Sequence, residues 1–163
     1  MYKSVYLKRG KEDSLKRFHP WIFSGAINSM DENIEDGDIV RVFTNDNAFI
    51  ATGFFQIGSI AVRVLSFSDI EINDEFWYRR LSAAYSMRKA LGIINEDYNT
   101  TFRLFHGEGD YIPGLIVDCY GDTAVMQAHN VGIHVFRHDI CKAIIAVTGG
   151  RIKNVYYKSE TTL

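Results

Sequence analysis

Residues 16–27 read KRFHPWIFSGAI and join a basic segment to a short aromatic run. Pro20 fixes one backbone torsion within this stretch and disfavours helical backbone at His19. A helix entering from Lys11 is therefore expected to end near Phe18, and the residues after Pro20 are apolar and strand-like. Cations, an imidazole and an indole meet at this corner, which suits either a phosphate-and-base contact surface or the corner of a core.

The charge of the chain is unevenly distributed around this corner. The 163 residues are 47% hydrophobic and 23% charged, as is usual for a globular protein of one domain or two small ones. Residues 1–20 carry six cations against two acids, whereas residues 31–38 carry five acids and no cation. Because the net charge is only −2, the basic end favours a directional contact with an anionic partner over general polyanion binding.

Cysteine usage and hydropathy limit the cellular compartments in which the protein is expected. Cys119 and Cys141 are too few and too far apart for a disulfide framework or a zinc site, so we expect reduced thiols. No apolar run approaches the roughly 18–20 residues that span a bilayer, and cations interrupt the N-terminal segment. We expect a cytoplasmic protein with no membrane partner.

Short strands separated by turns are expected to fill the first 67 residues. The predicted strands lie at 2–7, 21–28, 39–44, 48–56 and 60–67, with one or two helical turns between Gly10 and Phe18. Gly53 lies inside its strand, which indicates a bulge or a close approach of another backbone. Five such strands predict a small barrel or sandwich.

A change to helical periodicity after residue 72 predicts a domain boundary. Asn73 is a candidate N-cap for a helix over 74–91, and Gly92 is a candidate stop. Apolar residues keep helical spacing along it, namely Trp77, Leu81, Ala84 and Leu91.

The remainder predicts a strand-strand-helix-strand order. A strand is suggested at 101–105, a hairpin at 115–119 and 123–128, a second amphipathic helix at 133–147, and a last strand at 154–158. That last strand lies close to Leu163, which suggests an incomplete α/β domain. Its exposed edge could pair two chains into a dimer.

Three constellations carry residues of catalytic or metal-binding chemistry, and none predicts an active site. Glu108 and Asp110 could act as paired carboxylates, but such pairs are common in tight turns. His134 and His138 have zinc-compatible i, i+4 spacing without an acidic partner motif, so we predict no metal site. Cys119 ends an apolar strand and is expected to be a buried thiol rather than a nucleophile.

The basic segment favours RNA binding, although a solvated helix face would look similar. Each phosphate neutralised by a cation releases counterions, so a few such contacts give affinity that falls steeply with salt. Glycine allows close backbone approach, and His19 or Trp21 could contact a base or sugar. The predicted RNA-binding residues are Lys8, Arg9, Gly10, Lys11, Lys16, Arg17, His19 and Trp21.

The same corner resembles the opening signature of the PUA-domain-containing class I SAM-dependent rRNA methyltransferases, a family that includes the 5-methylcytosine enzyme of 23S rRNA. Further matches follow in the family's order, at residues 51–55, 59–64, 79–88, 102–104, 107–110, 113–122 and 155–159. The resemblance covers essentially the whole chain. Two departures are Tyr111, where the family usually has glycine, and Tyr157, where an acid is common.

The resemblance implies an α+β fold with a PUA-like RNA-binding barrel at 1–68 and a truncated central α/β domain at 73–163. The SAM-binding catalytic domain is expected to lie outside this chain, so the fragment would bind no cofactor and be inactive. The full-length protein would use S-adenosyl-L-methionine (SAM) to methylate cytosine C5 of large-subunit rRNA. A free-standing PUA-type RNA-binding module and a small enzyme using Glu108 and Asp110 remain alternatives.

The resemblance also sharpens the expected orientation of the corner. Trp21, Phe23 and Ile27 are expected to face the barrel interior. Lys16, Arg17 and His19 are expected to face RNA.

Overall fold

A computed structural model of the chain describes residues 1–95 and 101–159. The chain divides into two compact units, Met1–Glu71 and Ile72–Leu163. Within the described ranges, no helix is both long and apolar enough to cross a membrane. The predicted α+β class, with a small curled β-sheet first and a mixed second unit, is confirmed.

The first unit, described throughout, is a six-stranded sheet with one short helix. Its elements are β1 Lys3–Leu7, α1 Asp13–Lys16, β2 Trp21–Phe23, β3 Ile27–Met30, β4 Ile39–Phe43, β5 Phe49–Phe55 and β6 Ile60–Ser66. The strand order is β2-β6-β5-β4-β1-β3, with only β1 and β4 parallel. Apolar side chains from five of the strands, together with Leu15 of α1, form the core.

The single strand expected at 21–28 is two strands at opposite ends of the sheet order. A 3₁₀ turn, Ser24–Ala26, separates β2 from β3. Since three residues span only about 10 Å, the two edges must lie close together and the sheet must curl into a barrel. The turn joins both sides, because Ser24 N–H donates to Ser59 O at 2.9 Å and Lys8 N–H donates to Ala26 O at 2.8 Å.

Both predictions for Gly53, a bulge and a close approach of another backbone, are confirmed. The register of β5 against β6 shifts between Thr52 and Gly53, which marks a bulge. A Cβ at Gly53 would overlap the carbonyl oxygen of Arg63 and lie 2.9 Å from Val62 Cγ1. Only a residue without a side chain therefore fits here.

The second unit packs helices on one face of a four-stranded sheet. Its elements are α2 Asp74–Ala90, β7 Thr101–His106, a 3₁₀ turn Gly107–Asp110, β8 Leu115–Tyr120, β9 Thr123–Ala128, α3 Val131–Val135, α4 Arg137–Val147 and β10 Asn154–Tyr157. The order is β10-β9-β8-β7, in which β10 is parallel to β9. The predicted second helix is divided at Phe136, which ends α3 and precedes α4.

Helix α2 begins and ends as the sequence predicts. The Asn73 side chain accepts a hydrogen bond from Phe76 N–H at 3.1 Å, and Gly92 takes a positive φ of 72°. Leu91, which keeps the helical spacing of the apolar residues, is nevertheless 67% exposed. Arg88 is buried instead, since the C-terminal turn of the helix lies over a carboxylate.

Candidate nucleic-acid interface

A cleft in the first unit lies between α1 and the segment that runs from β2 into the 3₁₀ turn. Its volume is about 350 Å³, within the range of small-ligand sites. The lining combines one cation and two aromatic rings with small residues: Lys11, Ser14, Leu15, Trp21, Ile22, Phe23, Gly25 and Ala26. Two predicted RNA-binding residues, Lys11 and Trp21, therefore lie in the same cleft.

An aromatic row follows the outer side of β2. The rings of His19 and Trp21 meet edge to face with centroids 5.9 Å apart, and those of Trp21 and Phe23 meet at 6.5 Å. His19 Nδ1 accepts a hydrogen bond from Trp21 N–H at 3.2 Å, which fixes the imidazole at the start of the strand. Three ring systems are thus held in sequence, one just before β2 and two on it.

The expected inward orientation of Phe23 is wrong, because Phe23 is 50% exposed. Side chains alternate along a strand, and the inward position of β2 belongs to Ile22, which is 3% exposed. Trp21 is half-buried and lines the cleft rather than the interior. Ile27 does pack against the core, as predicted.

Lys8, the residue that follows β1, borders the cleft. Lys8 Nζ donates to the carbonyl oxygen of Gly25, a cleft residue, at 2.9 Å. Gly10 has a φ of 76°, which lets the chain turn from β1 towards α1, and a Cβ there would meet no heavy atom within 4 Å. The ammonium group of Lys8 therefore borders the cleft, and Gly10 leaves the backbone before Lys11 uncovered by a side chain.

Arg9 and Lys16 lie towards the turn that joins β4 to β5. The pKa of Asp46 in this turn is lowered, mainly by a hydrogen bond from the Thr44 hydroxyl at 2.8 Å and further by the positive charges of Lys16 and Arg9. Lys16 Nζ also lies 3.7 Å from Glu12 and 3.9 Å from Asp13. Part of the charge of Lys16 is therefore already compensated.

The predicted set thus divides into two neighbouring groups. Lys8, Lys11 and Trp21 border or line the cleft, and His19 contacts Trp21. Arg9 and Lys16 carry the positive charge towards Asp46, and Arg17 is exposed at the end of α1. Sequence reasoning missed Phe23 as a cleft residue, although strict alternation about Ile22 would have found it.

The structure rules out Glu108 and Asp110 as a carboxylate pair. Asp110 is buried in a bidentate ion pair with Arg88, whereas Glu108 is exposed. Asp110 Oδ2 also accepts from His106 N–H at 2.7 Å, so both of its oxygens are used. The small-enzyme alternative loses its acid–base pair.

The remaining candidate groups of the second unit are engaged in the fold. Desolvation by burial raises the pKa of Cys119 to about 12, so its thiol stays protonated. His134 and His138 fall on different helices, and His134 Nδ1 lies 2.8 Å from the Tyr157 hydroxyl. Among residues 1–95 and 101–159, no group of three or more His, Cys, Asp or Glu side chains is arranged to hold a metal ion.

A family model for a PUA-like domain matches residues 5–67. These residues contain nearly all of the barrel, α1 and the cleft. Residues 5–67 form a PUA-like domain. The cleft and the basic residues beside it are therefore features of the PUA-like domain.

Similarity extends well beyond the PUA-like domain. The chain is 35% identical over 162 residues to ribosomal RNA large subunit methyltransferase I of Pseudoalteromonas translucida, covering 98% of this chain and 40% of the relative. It is 39% identical over 146 residues to the Aeromonas hydrophila protein of that name, covering 88% and 36%. The predicted resemblance to the PUA-domain-containing rRNA methyltransferases is confirmed. The chain spans about two fifths of the length of these curated relatives.

Solved structures show the same fold. A Streptococcus mutans protein assigned as a SAM-dependent methyltransferase superposes with a TM-score of 0.80 at 20% identity, covering 98% of this chain and 41% of that protein. A protein assigned as a methyltransferase and solved in complex with SAH gives 0.81 at 21% identity, covering 98% and 40%. The fold of both units is thus shared with these two structures.

Proposed function

We propose that this chain is the RNA-binding and positioning portion of a SAM-dependent rRNA methyltransferase that acts on cytosine C5. The observation that carries the proposal is the aromatic-lined cleft of the PUA-like domain, bordered by Lys8 and Lys11. Relatives that are large-subunit rRNA methyltransferases support rRNA as the polyanion. The choice of cytosine C5 rests on the resemblance in sequence.

The two groups of cations would contact the RNA backbone on adjacent surfaces. Lys8 and Lys11 would hold phosphates near the cleft, Arg17 would hold one at the exposed end of α1, and Arg9 and Lys16 would extend the contact towards the β4–β5 turn. Gly10 presents backbone without a side chain, so the ribose-phosphate chain can approach closely there. His19 and Trp21 would contact a base or sugar through the aromatic row.

The division of labour that we propose follows the domain order of the resemblance. The PUA-like domain, at 1–68, would dock structured rRNA. The central α/β domain, at 73–163, would hold the catalytic domain at a fixed distance from the docked RNA. The fragment would be cytoplasmic, and by itself it would not methylate RNA.

We expect the SAM site to lie outside the described residues, and the second unit offers one observation in support. A nucleotide-type cofactor usually sits on a glycine-rich connection from a strand to a helix. The connection from β9 to α3 is instead filled by Asn130, whose buried amide donates to Pro113 O at 2.7 Å and whose Oδ1 accepts from Ile133 N–H at 2.9 Å. We therefore assign SAM, which supplies the methyl group, to the full-length protein and not to these residues.

Charge reversal tests the proposed interface. The triple variant Lys8→Glu/Arg9→Glu/Lys11→Glu should weaken binding to transcribed 23S rRNA fragments at least tenfold. The slope of log K against the logarithm of the salt concentration should become shallower by about two to three. The matched control reverses three exposed lysines of the second unit, Lys89, Lys153 and Lys158. Equal affinity and equal salt slope for the wild type and the first variant would overturn the interface.

Calorimetry tests the assignment of the cofactor. Titration of SAM into the purified chain should give no heat of binding at micromolar concentrations. Micromolar binding would place the cofactor site within this chain and contradict the proposed division of domains.

A further inference from the structure

Phe18 occupies a backbone position that favours glycine. Its φ is 62°, in the left-handed region. Phe18 N–H donates to Leu15 O at 2.9 Å and His19 N–H donates to Ser14 O at 3.0 Å, which is the Schellman arrangement that ends a helix. Phe18 is the residue just beyond the C-cap, Arg17, where glycine is the usual choice because a Cβ costs about 1–2 kcal/mol there.

The ring of Phe18 contributes little to the stability of the fold. Phe18 is 71% exposed, so most of its apolar surface remains in water. Its ring meets the ring of Phe67 edge to face, with centroids 5.2 Å apart. A strained backbone that holds a large aromatic side chain in solvent is typical of functional positions.

The neighbours of Phe18 point to its ligand. It lies between the exposed residues Arg17 and His19, and the aromatic row of β2 begins at His19. A solvent-facing aromatic ring beside cations is the arrangement on which unpaired RNA bases stack, because each base presents a π-face while the cations hold its phosphates.

We infer that Phe18 is a base-stacking residue for an unpaired nucleotide of the bound RNA. This inference rests on the proposed function and adds a ligand contact outside the cleft. It also accounts for the phenylalanine at a glycine position, because the ring held there is 71% exposed and open to a base. The structural alternative is that the ring serves only its contact with Phe67.

Three substitutions separate these readings. Phe18→Gly removes the ring and suits the backbone, Phe18→Leu keeps an apolar side chain without a π-face, and Phe18→Trp keeps the π-face. The matched control is Tyr111→Gly in the second unit, since Tyr111 is also a 68% exposed aromatic residue with a left-handed φ of 67°. Affinity is measured by fluorescence anisotropy with an RNA hairpin that has an unpaired loop, and with a fully paired duplex of the same stem.

Stacking by Phe18 gives a specific pattern. Phe18→Gly and Phe18→Leu should weaken binding to the hairpin about fivefold or more, with the salt slope unchanged, because a stacked base is lost and no phosphate contact is lost. Phe18→Trp and Tyr111→Gly should bind as the wild type does, and duplex binding should be unaffected throughout. The thermal midpoint of Phe18→Gly should not fall.

Each contrary result has a definite meaning. Wild-type affinity in Phe18→Gly or Phe18→Leu would overturn the stacking role while leaving the proposed RNA binding intact. A lowered thermal midpoint of Phe18→Gly with unchanged affinity would assign the ring to the fold. If the wild type binds neither RNA in a salt-dependent way, the proposed function fails and stacking fails with it.

Discussion

Arg88 and Asp110 form a buried bidentate ion pair that ties α2 to the 3₁₀ turn after β7. Arg88 Nη1 lies 3.1 Å from Asp110 Oδ1, and Nη2 lies 2.7 Å from Oδ2. Arg88 also donates to the carbonyl oxygens of Ala84 and Arg103. One guanidinium therefore joins its own helix, a strand and a turn.

Removal of one partner should destabilise the second unit strongly. Arg88→Met leaves the Asp110 carboxylate buried without a counter-charge, and the expected loss in free energy of unfolding is about 3–5 kcal/mol by urea denaturation. Arg103→Met is the matched control, because Arg103 pairs with Asp118 at an exposed site and its loss should cost less than about 1 kcal/mol. Equal losses for the two variants would contradict a structural role for the buried pair.

Gly53→Ala should destabilise the PUA-like domain. The added methyl group would overlap the backbone of Arg63 on the neighbouring strand, so the ladder between β5 and β6 must move, at a cost of about 1–3 kcal/mol in urea denaturation. Gly25→Ala is the control in the same domain, since a Cβ there meets no heavy atom within 4 Å. A neutral Gly53→Ala would show that the strands separate without penalty.

Glu12→Gln should strengthen RNA binding by about two- to threefold at low salt. Glu12 Oε1 lies 3.7 Å from Lys16 Nζ, so its charge offsets part of the positive potential that phosphates would meet. Glu32→Gln removes an exposed acid from the acidic segment and serves as the control for net charge. Titrations at several salt concentrations provide the measurement, and unchanged or weaker binding by Glu12→Gln would place the RNA away from α1.

Cys119 should resist alkylation in the folded chain. Its pKa rises from 9.0 to about 12 through burial, so at pH 9 about one thiol in a thousand is ionised, compared with half in the unfolded chain. Iodoacetamide at pH 9 should label Cys119 only in denaturant, as read by mass spectrometry. The same shift means that the contribution of Cys119 to stability is complete below pH 9 and is lost as the pH rises towards 12. Rapid labelling without denaturant would contradict this burial.

Strand β10 should support weak self-association. It ends the order β10-β9-β8-β7, so one side of its backbone is an edge on which a second chain could add a strand. Tyr156, an exposed residue of β10, is a suitable position for Tyr156→Lys, which should lower any dimer fraction seen by sedimentation at increasing concentration. A dimer fraction that is unchanged by Tyr156→Lys would locate the contact elsewhere.

Local signals predict much of this fold. Asn73 and Gly92 mark the ends of α2 because capping and left-handed backbone depend on single residues. Gly53 predicts a close approach for the same reason. The turn chemistry around Gly121 likewise predicts the hairpin of β8 and β9.

The sequence-based predictions fail where contacts between residues distant in sequence determine the structure. Helical spacing from Ala84 leads to position 88, but an arginine there looks exposed until Asp110, 22 residues later, is known to face it. The division of residues 21–28 between two edges depends on closure of the whole barrel, which no local pattern reports. At the candidate interface, the basic residues are evident from composition, whereas the cleft exists only because α1 packs beside β2.

The 3₁₀ turn at Ser24–Ala26 has a consequence for how the interface can evolve. It is the seam of the barrel, held to its neighbours by one hydrogen bond to Ser59 and two from Lys8 rather than by a strand ladder. Gly25 and Ala26 of the turn line the cleft together with the β2 residues before them, so substitutions or short insertions in the turn can reshape the cleft without shifting the register of any strand pair. The shape of the cleft can therefore diverge among related proteins while the barrel that carries it stays the same.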